Sequence, residues 1–192
     1  MAPLVRLAAA ALLLIAVMGC DDCDQCPAPR RPERQVEIPV VNLTRALRVQ
    51  NYKGGSCVHA STGADFNWLN QFDLQRKWNA KYSGGESYNG LVEKLRANNI
   101  PFYATANGDV AVLDRCTRER RGATIFYYPN HSITFCGFDG DSAYVLDNNR
   151  IDAFIQIPKA TFVRNWKSYG GVAVVPTLGA PRPPMPWVAA SL

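Results

Sequence analysis

The sequence is poor in several features that mark large classes of protein. It has two histidines in 192 residues, and only 19% of its residues are charged. After the first twenty positions, no apolar run approaches the ~20 residues that a membrane-spanning helix needs, which excludes a polytopic membrane protein. Glycine and proline number 14 and 13 without a collagen-like period. No internal repeat is visible, which excludes a solenoid or a propeller.

The charge balance is equally modest. The formal net charge is +5, from 21 lysines and arginines against 16 acidic residues, and the basic residues are scattered apart from two small groups. This is too little to indicate a nucleic-acid partner. A hydrophobic content of 47% is typical of a globular protein, and the length suits one domain with appendages.

The first nineteen residues have the pattern of an export signal. Arg6 precedes an apolar stretch from Leu7 to Met18, which is short for a membrane span but suits a signal-peptide core. The following Gly19-Cys20 resembles a bacterial lipobox, in which the cysteine becomes the lipidated first residue. Plain secretion after cleavage near Gly19 and a retained anchor are the alternatives. All three place the rest of the chain outside the cytosol, where disulfides are permitted.

A cysteine- and proline-rich segment, 20–35, reads as an extended tether. Within it Cys20, Cys23 and Cys26 form a C-x-x-C-x-x-C run, which lacks the fourth ligand of a tetrahedral zinc site. We therefore expect no metal here, but a lipidated Cys20 and two cysteines that pair with each other or with a partner. The domain organisation predicted is a signal peptide at 1–19, the tether, one folded domain at 36–176 and a proline-rich tail at 177–192.

The periodicity of the folded part changes along the chain. Helical spacing predicts helices over 57–70, 73–82, 87–98 and 159–169, with a short helix capped by Asp109. Strand formers and turn residues predict strands over 123–128, 131–138, 143–146, 154–157 and 171–175. Helices early and antiparallel strands late indicate an α+β fold with segregated layers.

Cys57 is the cysteine best placed for reactivity. It follows Gly54-Gly55-Ser56 and opens a predicted helix. A helix N-terminus carries partial positive charge and free N–H groups, which stabilise a thiolate. A buried structural cysteine is the alternative.

A nucleophilic cysteine needs a base, and the choice lies between two histidines. His59 lies two residues after Cys57, so the two side chains point to different sides of the helix. His131 opens a predicted strand, from which it can reach a cleft.

The hairpin that begins at His131 returns a polar group to it. The return strand ends at Asp147-Asn148, so either side chain can lie beside the imidazole and accept its Nδ1–H. Taken alone, these residues would be read as a polar turn.

Together these segments resemble the papain-like cysteine peptidases. Gly55-Ser56-Cys57-x-x-Ala60-Ser61 is similar to the family's nucleophile segment, and His131-x-Ile133-x-Phe135-x-Gly137-Phe138 is similar to its histidine strand. Asp147 falls where the family has its third residue, and an aspartate there is typical of the compact bacterial branch that trims double-glycine leader peptides. The resemblance covers about residues 50–176 and implies a papain-like fold, with a helical part packed on an antiparallel sheet.

The sequence departs from the family pattern at two positions. Val58 stands where the family has tryptophan or glycine. The family also has an upstream glutamine that helps to form the oxyanion hole. Gln50 is the expected residue type, seven positions before Cys57, whereas Asn51 has the commoner spacing of six. We favour Gln50, with Asn51 as the alternative.

The resemblance implies a hydrolase with Cys57 as nucleophile, His131 as acid–base, Asp147 as its orienting group and Gln50 at the oxyanion hole. It implies no cofactor and no metal. The expected partner is a peptide or protein substrate, and the expected state is a monomer that meets the membrane only through a lipid anchor. An acyl-transfer enzyme of transglutaminase type and a non-catalytic peptide-binding domain are the competing hypotheses.

Cys116 and Cys136 are left over. Outside the cytosol they can form a disulfide, or both can be small buried residues.

Overall fold

A computed structural model describes residues 36–39 and 48–179, all of which belong to one compact unit. The helices are α1 (Cys57–Trp68), α2 (Phe72–Lys81), α3 (Tyr88–Ala97), α4 (Val110–Arg118) and α5 (Lys159–Ser168). The strands are β1 (Val36–Pro39), β2 (Phe102–Thr105), β3 (Ala123–Tyr128), β4 (His131–Asp139), β5 (Ser142–Asp147), β6 (Arg150–Pro158) and β7 (Ala173–Pro176). The predicted signal peptide, the whole of the tether and the tail after residue 179 lie outside the described residues.

The strands form one antiparallel sheet in the order β1-β6-β5-β4-β3-β7-β2. Successive hairpins join β3 to β6, so the strand that begins at His131 lies at the centre of the sheet. The β4–β5 ladder contains a bulge at Cys136, where Phe135 pairs with Val145 and Gly137 with Tyr144. The predicted α+β class with segregated layers is confirmed.

Two strands were not expected. The edge strands β1 and β2 have four residues each, too few to show a period of two. Their pairing with β6 and β7 depends on residues far away in the chain, which local pattern reasoning cannot see. Strand β6 also begins earlier than predicted, at Arg150, because it continues directly from the turn after β5.

The sheet buries a different layer on each face. On one face α4 and α5 cover an apolar cluster that includes Leu113, Phe135, Phe162 and Trp166, each 0% exposed. On the other face lie α1, α2 and α3, with Phe66, Trp78, Leu91 and Leu95 in a second cluster. The large buried aromatic residues supply most of this packing, since each removes on the order of 150–250 Å² from water.

Helix α1 is the central element of the helical layer. All twelve of its residues are buried, polar ones included. Thr62 and Asp65 of α1 both contact Thr124 of β3. The Thr124 hydroxyl donates to Asp65 Oδ2 at 2.9 Å, and the Thr62 hydroxyl lies 3.0 Å from the Thr124 hydroxyl. Buried polar groups stabilise a fold only when they are hydrogen-bonded, so this network fixes α1 in one position against the sheet.

Neither of the leftover cysteines is disulfide-bonded, and both are 0% exposed. Cys116 packs in the cluster beneath α4 and α5, and its thiol donates to the Arg121 carbonyl at 3.0 Å. Cys136 lies in the β4 bulge and its thiol is 3.6 Å from the Thr134 carbonyl. The two sulfurs thus have separate environments, and the disulfide considered above is not formed.

Within the described ranges, no helix combines the length and the apolar character that crossing a membrane requires.

Candidate active site

Cys57 lies at the first position of α1, and the loop before it is unusual. Lys53, Gly54 and Gly55 have φ values of 45°, 59° and 107°. All three lie in the left-handed region, which the two glycines adopt without strain. The N-cap Ser56 does not cap α1, because its hydroxyl instead accepts from the Gly84 N–H at 2.8 Å. The first turn of α1 also contains no acidic residue. The positive end of the helix therefore acts on the Cys57 thiol without a competing side chain.

His131 and Asp147 form a close pair. His131 begins β4, Asp147 ends β5, and His131 Nε2 lies 2.9 Å from Asp147 Oδ1. The expectation that a carboxylate would accept the Nδ1–H is wrong, because the strand presents the other nitrogen to Asp147. Nδ1 is thus left for Cys57, to which the ring is also hydrogen-bonded.

The three groups shift one another's ionisation. Burial raises the pKa of the Cys57 thiol, but hydrogen bonds from the His131 side chain and the Ser132 backbone outweigh it, so the pKa lies below its usual value. Hydrogen bonds to Asp147 and Cys57 raise the pKa of His131 to about 9. Burial opposes ionisation of Asp147, yet the hydrogen bond from His131 holds the pKa of this carboxyl below its usual value. At neutral pH the arrangement favours a thiolate–imidazolium pair.

Asn148 lies beside this pair but faces the helix. Asn148, which the sequence offered as an alternative to Asp147, is 2% exposed. Asn148 Nδ2 lies 2.7 Å from the Ser132 carbonyl, 2.9 Å from the Ser61 hydroxyl and 3.1 Å from the Cys57 carbonyl. It therefore connects the start of α1 to the strand that carries His131, and its amide positions the nucleophile relative to the base.

Of the two candidates for the oxyanion hole, Asn51 is bound to the turn after β5, where its backbone N–H donates to the Asn148 carbonyl at 2.8 Å. The side chain of Gln50 is exposed. Asn51 Nδ2 donates to Asn149 Oδ1 at 3.0 Å, and the Asn149 backbone N–H donates to Asp147 Oδ1 at 2.9 Å. Asn51 is thus connected to the third residue of the site through Asn149, a link that no local pattern indicated. The assignment of Gln50 stays a prediction.

His59 occupies a different environment from His131. It is 1% exposed, its ring stacks on Tyr82 at 5.6 Å, and its Nε2 lies 3.9 Å from Glu86 Oε2. Burial lowers the pKa of His59, and the Glu86 charge only partly opposes this. His59 is therefore a neutral packing residue behind the site.

A cavity of about 400 Å³ opens beside Cys57 and His131. Three segments that are distant in sequence form its walls: the start of α1, the loop before α3 and the β3–β4 hairpin, with Tyr169 after α5. The residues that line it include Val58, Gly85, Glu86, Phe126, Tyr128, Pro129, Asn130 and Tyr169. Sequence reasoning missed these residues, because only the folded chain brings the three segments together.

No group of three or more histidine, cysteine or acidic side chains that could hold a metal ion occurs within 36–39 and 48–179.

Alkylation of Cys57 provides a direct measure of this electrostatic arrangement. We expect iodoacetamide to modify Cys57 in the native protein faster than Cys116 or Cys136, at a rate that persists well below pH 8. The lowered pKa supplies thiolate there, and Cys57 is 6% exposed whereas the other two thiols are fully buried. Mass spectrometry of peptides labelled at a series of pH values gives the three rates. Equal labelling of Cys57 and Cys136 at pH 6 would contradict the assignment.

Solved structures supply the only matches among the three kinds of comparison with known proteins. No protein-family model matches the sequence, and no curated protein matches it significantly. A double-glycine motif protease from an AMS/PCAT transporter, solved in complex with the leader peptide, matches with a TM-score of 0.51 at 15% identity, over 74% of this chain and 100% of the other. A C39-like peptidase from Bacillus anthracis matches with a TM-score of 0.53 at 12% identity, over 76% and 99%. The chain has the papain-like peptidase fold of these structures, as the motifs implied.

Proposed function

We propose that the protein is an exported cysteine peptidase in which Cys57, His131 and Asp147 form the catalytic triad. The observation that carries the proposal is the hydrogen-bonded series Cys57–His131–Asp147 at the mouth of a cavity. Its electrostatics produce a nucleophile and a proton donor at neutral pH. The fold supports the same conclusion, since both neighbouring structures are peptidases.

The proposed reaction is acyl transfer through a thioester. The Cys57 thiolate attacks the carbonyl carbon of the scissile bond, and the imidazolium of His131 gives its Nδ1 proton to the departing amine nitrogen as the C–N bond breaks. Water then attacks the thioester, while His131 takes a proton from it, and the thiolate leaves. Asp147 keeps the imidazole oriented through Nε2 in both halves of the reaction.

Stabilisation of the oxyanion comes from the start of α1. The backbone N–H of Cys57 lies at the positive end of this helix, where negative charge on the substrate oxygen develops. We propose the side-chain amide of Gln50 as the second donor. The support is its residue type, and its side chain is exposed.

Hydrolysis in H₂¹⁸O tests the proposed reaction. Incubation of the protein with a defined peptide mixture should yield fragments whose new carboxylates contain one ¹⁸O atom, as mass spectrometry would show. Fragments joined to added amines, without ¹⁸O, would instead identify an acyl-transfer enzyme. If no covalent change occurs in any peptide, the proposal is wrong.

We also propose that the mature protein begins at a lipidated Cys20, which would anchor the domain to a membrane outside the cytosol. The support is the apolar core that ends at Gly19-Cys20, followed by a proline-rich tether. The intact mass of detergent-extracted protein is expected to match the chain from Cys20 plus its acyl groups. The mass of an unmodified chain, or of one that retains Met1, would contradict this.

A further inference from the structure

We propose that the side chains of Asn51 and Asn149 form a clasp that positions the Asp147–His131 pair. Asn149 is the positioning residue that holds the Asp147 carboxylate against the imidazole, and Asn51 anchors Asn149. The inference rests on the proposed peptidase function and adds two residues to its machinery. Both act through Asp147 and the turn that follows it, and neither supplies an atom to the reaction. Asn51 is thereby assigned to this turn and not to the oxyanion hole.

The turn between β5 and β6 sets the direction of the Asp147 carboxylate. Asp147 pairs with Arg150 across this hairpin, so Asn148 and Asn149 are the two residues of the turn. Asp147 Oδ1 accepts the Asn149 backbone N–H at 2.9 Å and also lies 2.9 Å from His131 Nε2. A carboxylate that accepts from the N–H two residues ahead forms an Asx turn. This bond holds the carboxylate where it meets the imidazole, provided that the turn keeps its shape.

Asn51 holds the turn from a segment that is distant in the chain, 98 positions before Asn149. Its side-chain Nδ2 donates to Asn149 Oδ1 at 3.0 Å, and its backbone N–H donates to the Asn148 carbonyl at 2.8 Å. Two such bonds from one residue fix both the position and the rotation of the turn. An amide suits position 149, because it accepts the bond from Asn51 without placing a second negative charge beside Asp147.

The residues around Asn51 are themselves anchored to the helical layer. Val49 is 8% exposed and packs on α1, where Tyr52 contacts the same small cluster. The Tyr52 hydroxyl donates to the Tyr82 carbonyl at 2.9 Å. The clasp therefore joins the turn that carries Asp147 to the helix that begins with Cys57, so that the base and the nucleophile keep one relative position.

The exposed side chain of Asn149 also covers the outer edge of the pair. Asn149 Nδ2 lies 3.5 Å from His131 Nε2, and the side chains of His131 and Asp147 are only 16% and 14% exposed. Both nitrogens carry hydrogen when Nε2 donates to Asp147, so this contact limits ring rotation and the access of water and adds no hydrogen bond. A less hydrated pair is electrostatically stronger. Other ionisable groups face the pair from neighbouring elements: Cys57 of α1, Tyr128 of β3, Arg150 of β6 and, along the cavity, Glu86 and Tyr169.

The pKa of His131 can be measured without any peptidase activity, by NMR of the imidazole. The chain has two histidines, so the two signals of the detergent-extracted full-length protein are assigned with His131→Ala. The His131 signal should titrate near pH 9, well above the signal of the buried His59. Asn149→Ala and Asn51→Ala should each lower the His131 midpoint, because the carboxylate is then held less firmly against the ring. Both variants keep the backbone bonds of the turn, so they test the clasp alone.

Three further variants sharpen the titration. In Asn149→Asp the new carboxylate still accepts from Asn51 but adds a negative charge close to Nε2, which should raise the midpoint by about half a pH unit. The variant with alanine at both positions should resemble Asn149→Ala, since the two side chains share one bond. The matched control is Asn98→Ala, which removes an amide that bonds to Lys81 and to the Tyr82 hydroxyl and does not touch the pair. The His131 midpoint should not move in this control.

Peptide hydrolysis supplies a second measurement. Asn149→Ala should lower kcat by about 3- to 10-fold, the effect of one lost hydrogen bond on the position of the base, and should change KM by less than about twofold. If the midpoints shift as expected while the wild-type protein cleaves no peptide, the clasp is right and the peptidase function is wrong. If peptides are cleaved but neither alanine variant moves the midpoint, the function is right and the clasp is wrong. A lower kcat in Asn51→Ala with an unchanged midpoint would overturn the clasp and identify Asn51 as the oxyanion donor.

Discussion

Replacement of Cys57 by alanine is expected to lower kcat for peptide hydrolysis by about 10³-fold or more, while the thermal unfolding midpoint changes little. The thiolate is the atom that forms the bond to the substrate, and no neighbouring side chain can replace it. Cys57 is buried at the start of α1 in the second apolar cluster, but alanine removes only a single sulfur atom from that cluster. Initial rates of cleavage of the peptide in the defined mixture that the protein cleaves fastest give the effect on kcat.

The same experiment with His131→Ala tests whether the two residues act as a unit. Removal of either member of a coupled pair costs nearly as much as removal of both, so the double variant should be no slower than Cys57→Ala alone. Cys136→Ala is the matched control, because it removes a buried thiol that lies in the β4 bulge. If Cys136→Ala lowers kcat as much as Cys57→Ala, or the two single losses multiply in the double variant, the assignment of the nucleophile fails.

The parts of the fold that follow from local pattern were predictable. Strand β3 was predicted at its observed bounds, and the cap of α4 is formed by Asp109, whose side chain accepts from the Ala111 N–H. Both depend on residues within one element, where periodicity and capping chemistry are sufficient. The edge strands β1 and β2 depend on partners more than sixty residues away, so no local pattern could reveal them.

The candidate site shows the same division between local and distant determinants. The pairing of Asp147 with His131 could be anticipated because a hairpin returns the chain to its start. The choice of Nε2 rather than Nδ1 could not, since it depends on the rotamer that places the ring between Cys57 and Asp147. The cavity walls were missed for the reason that applies to β1 and β2: Gly85, Tyr128 and Tyr169 belong to segments that meet only in the tertiary structure.

Substitutions of the neighbouring residues Asp147 and Asn148 should have different effects on activity and stability. Asp147→Asn keeps the shape of the side chain but removes the carboxylate, whose hydrogen bond and charge act with Cys57 to raise the pKa of His131 to about 9. The pKa of the imidazolium should therefore fall toward its ordinary value, which lowers kcat and moves the alkaline limb of the pH–kcat/KM profile to lower pH. Asp147→Ala should lower kcat further, because the ring also loses its hydrogen-bond acceptor.

Asn148 is expected to affect stability more than chemistry. Asn148→Ala leaves the Ser132 and Cys57 carbonyls without their buried donor, which costs about 1–3 kcal/mol of stability. Asn148→Asp should be worse still, because it directs a carboxylate at two carbonyl oxygens. Both variants should keep the alkaline limb near pH 9, since the Asp147–His131 pair is untouched.

The pH profile and circular dichroism together decide between the two residues. If Asn148→Ala costs more activity than Asp147→Ala while the fold remains intact, or if Asn148→Ala shifts the alkaline limb, then Asn148 orients His131. An alkaline limb that stays in place in Asp147→Asn would equally contradict the role of this carboxylate. The expected ordering follows from the end of β5, where Asp147 turns toward the imidazole and the next residue turns toward α1.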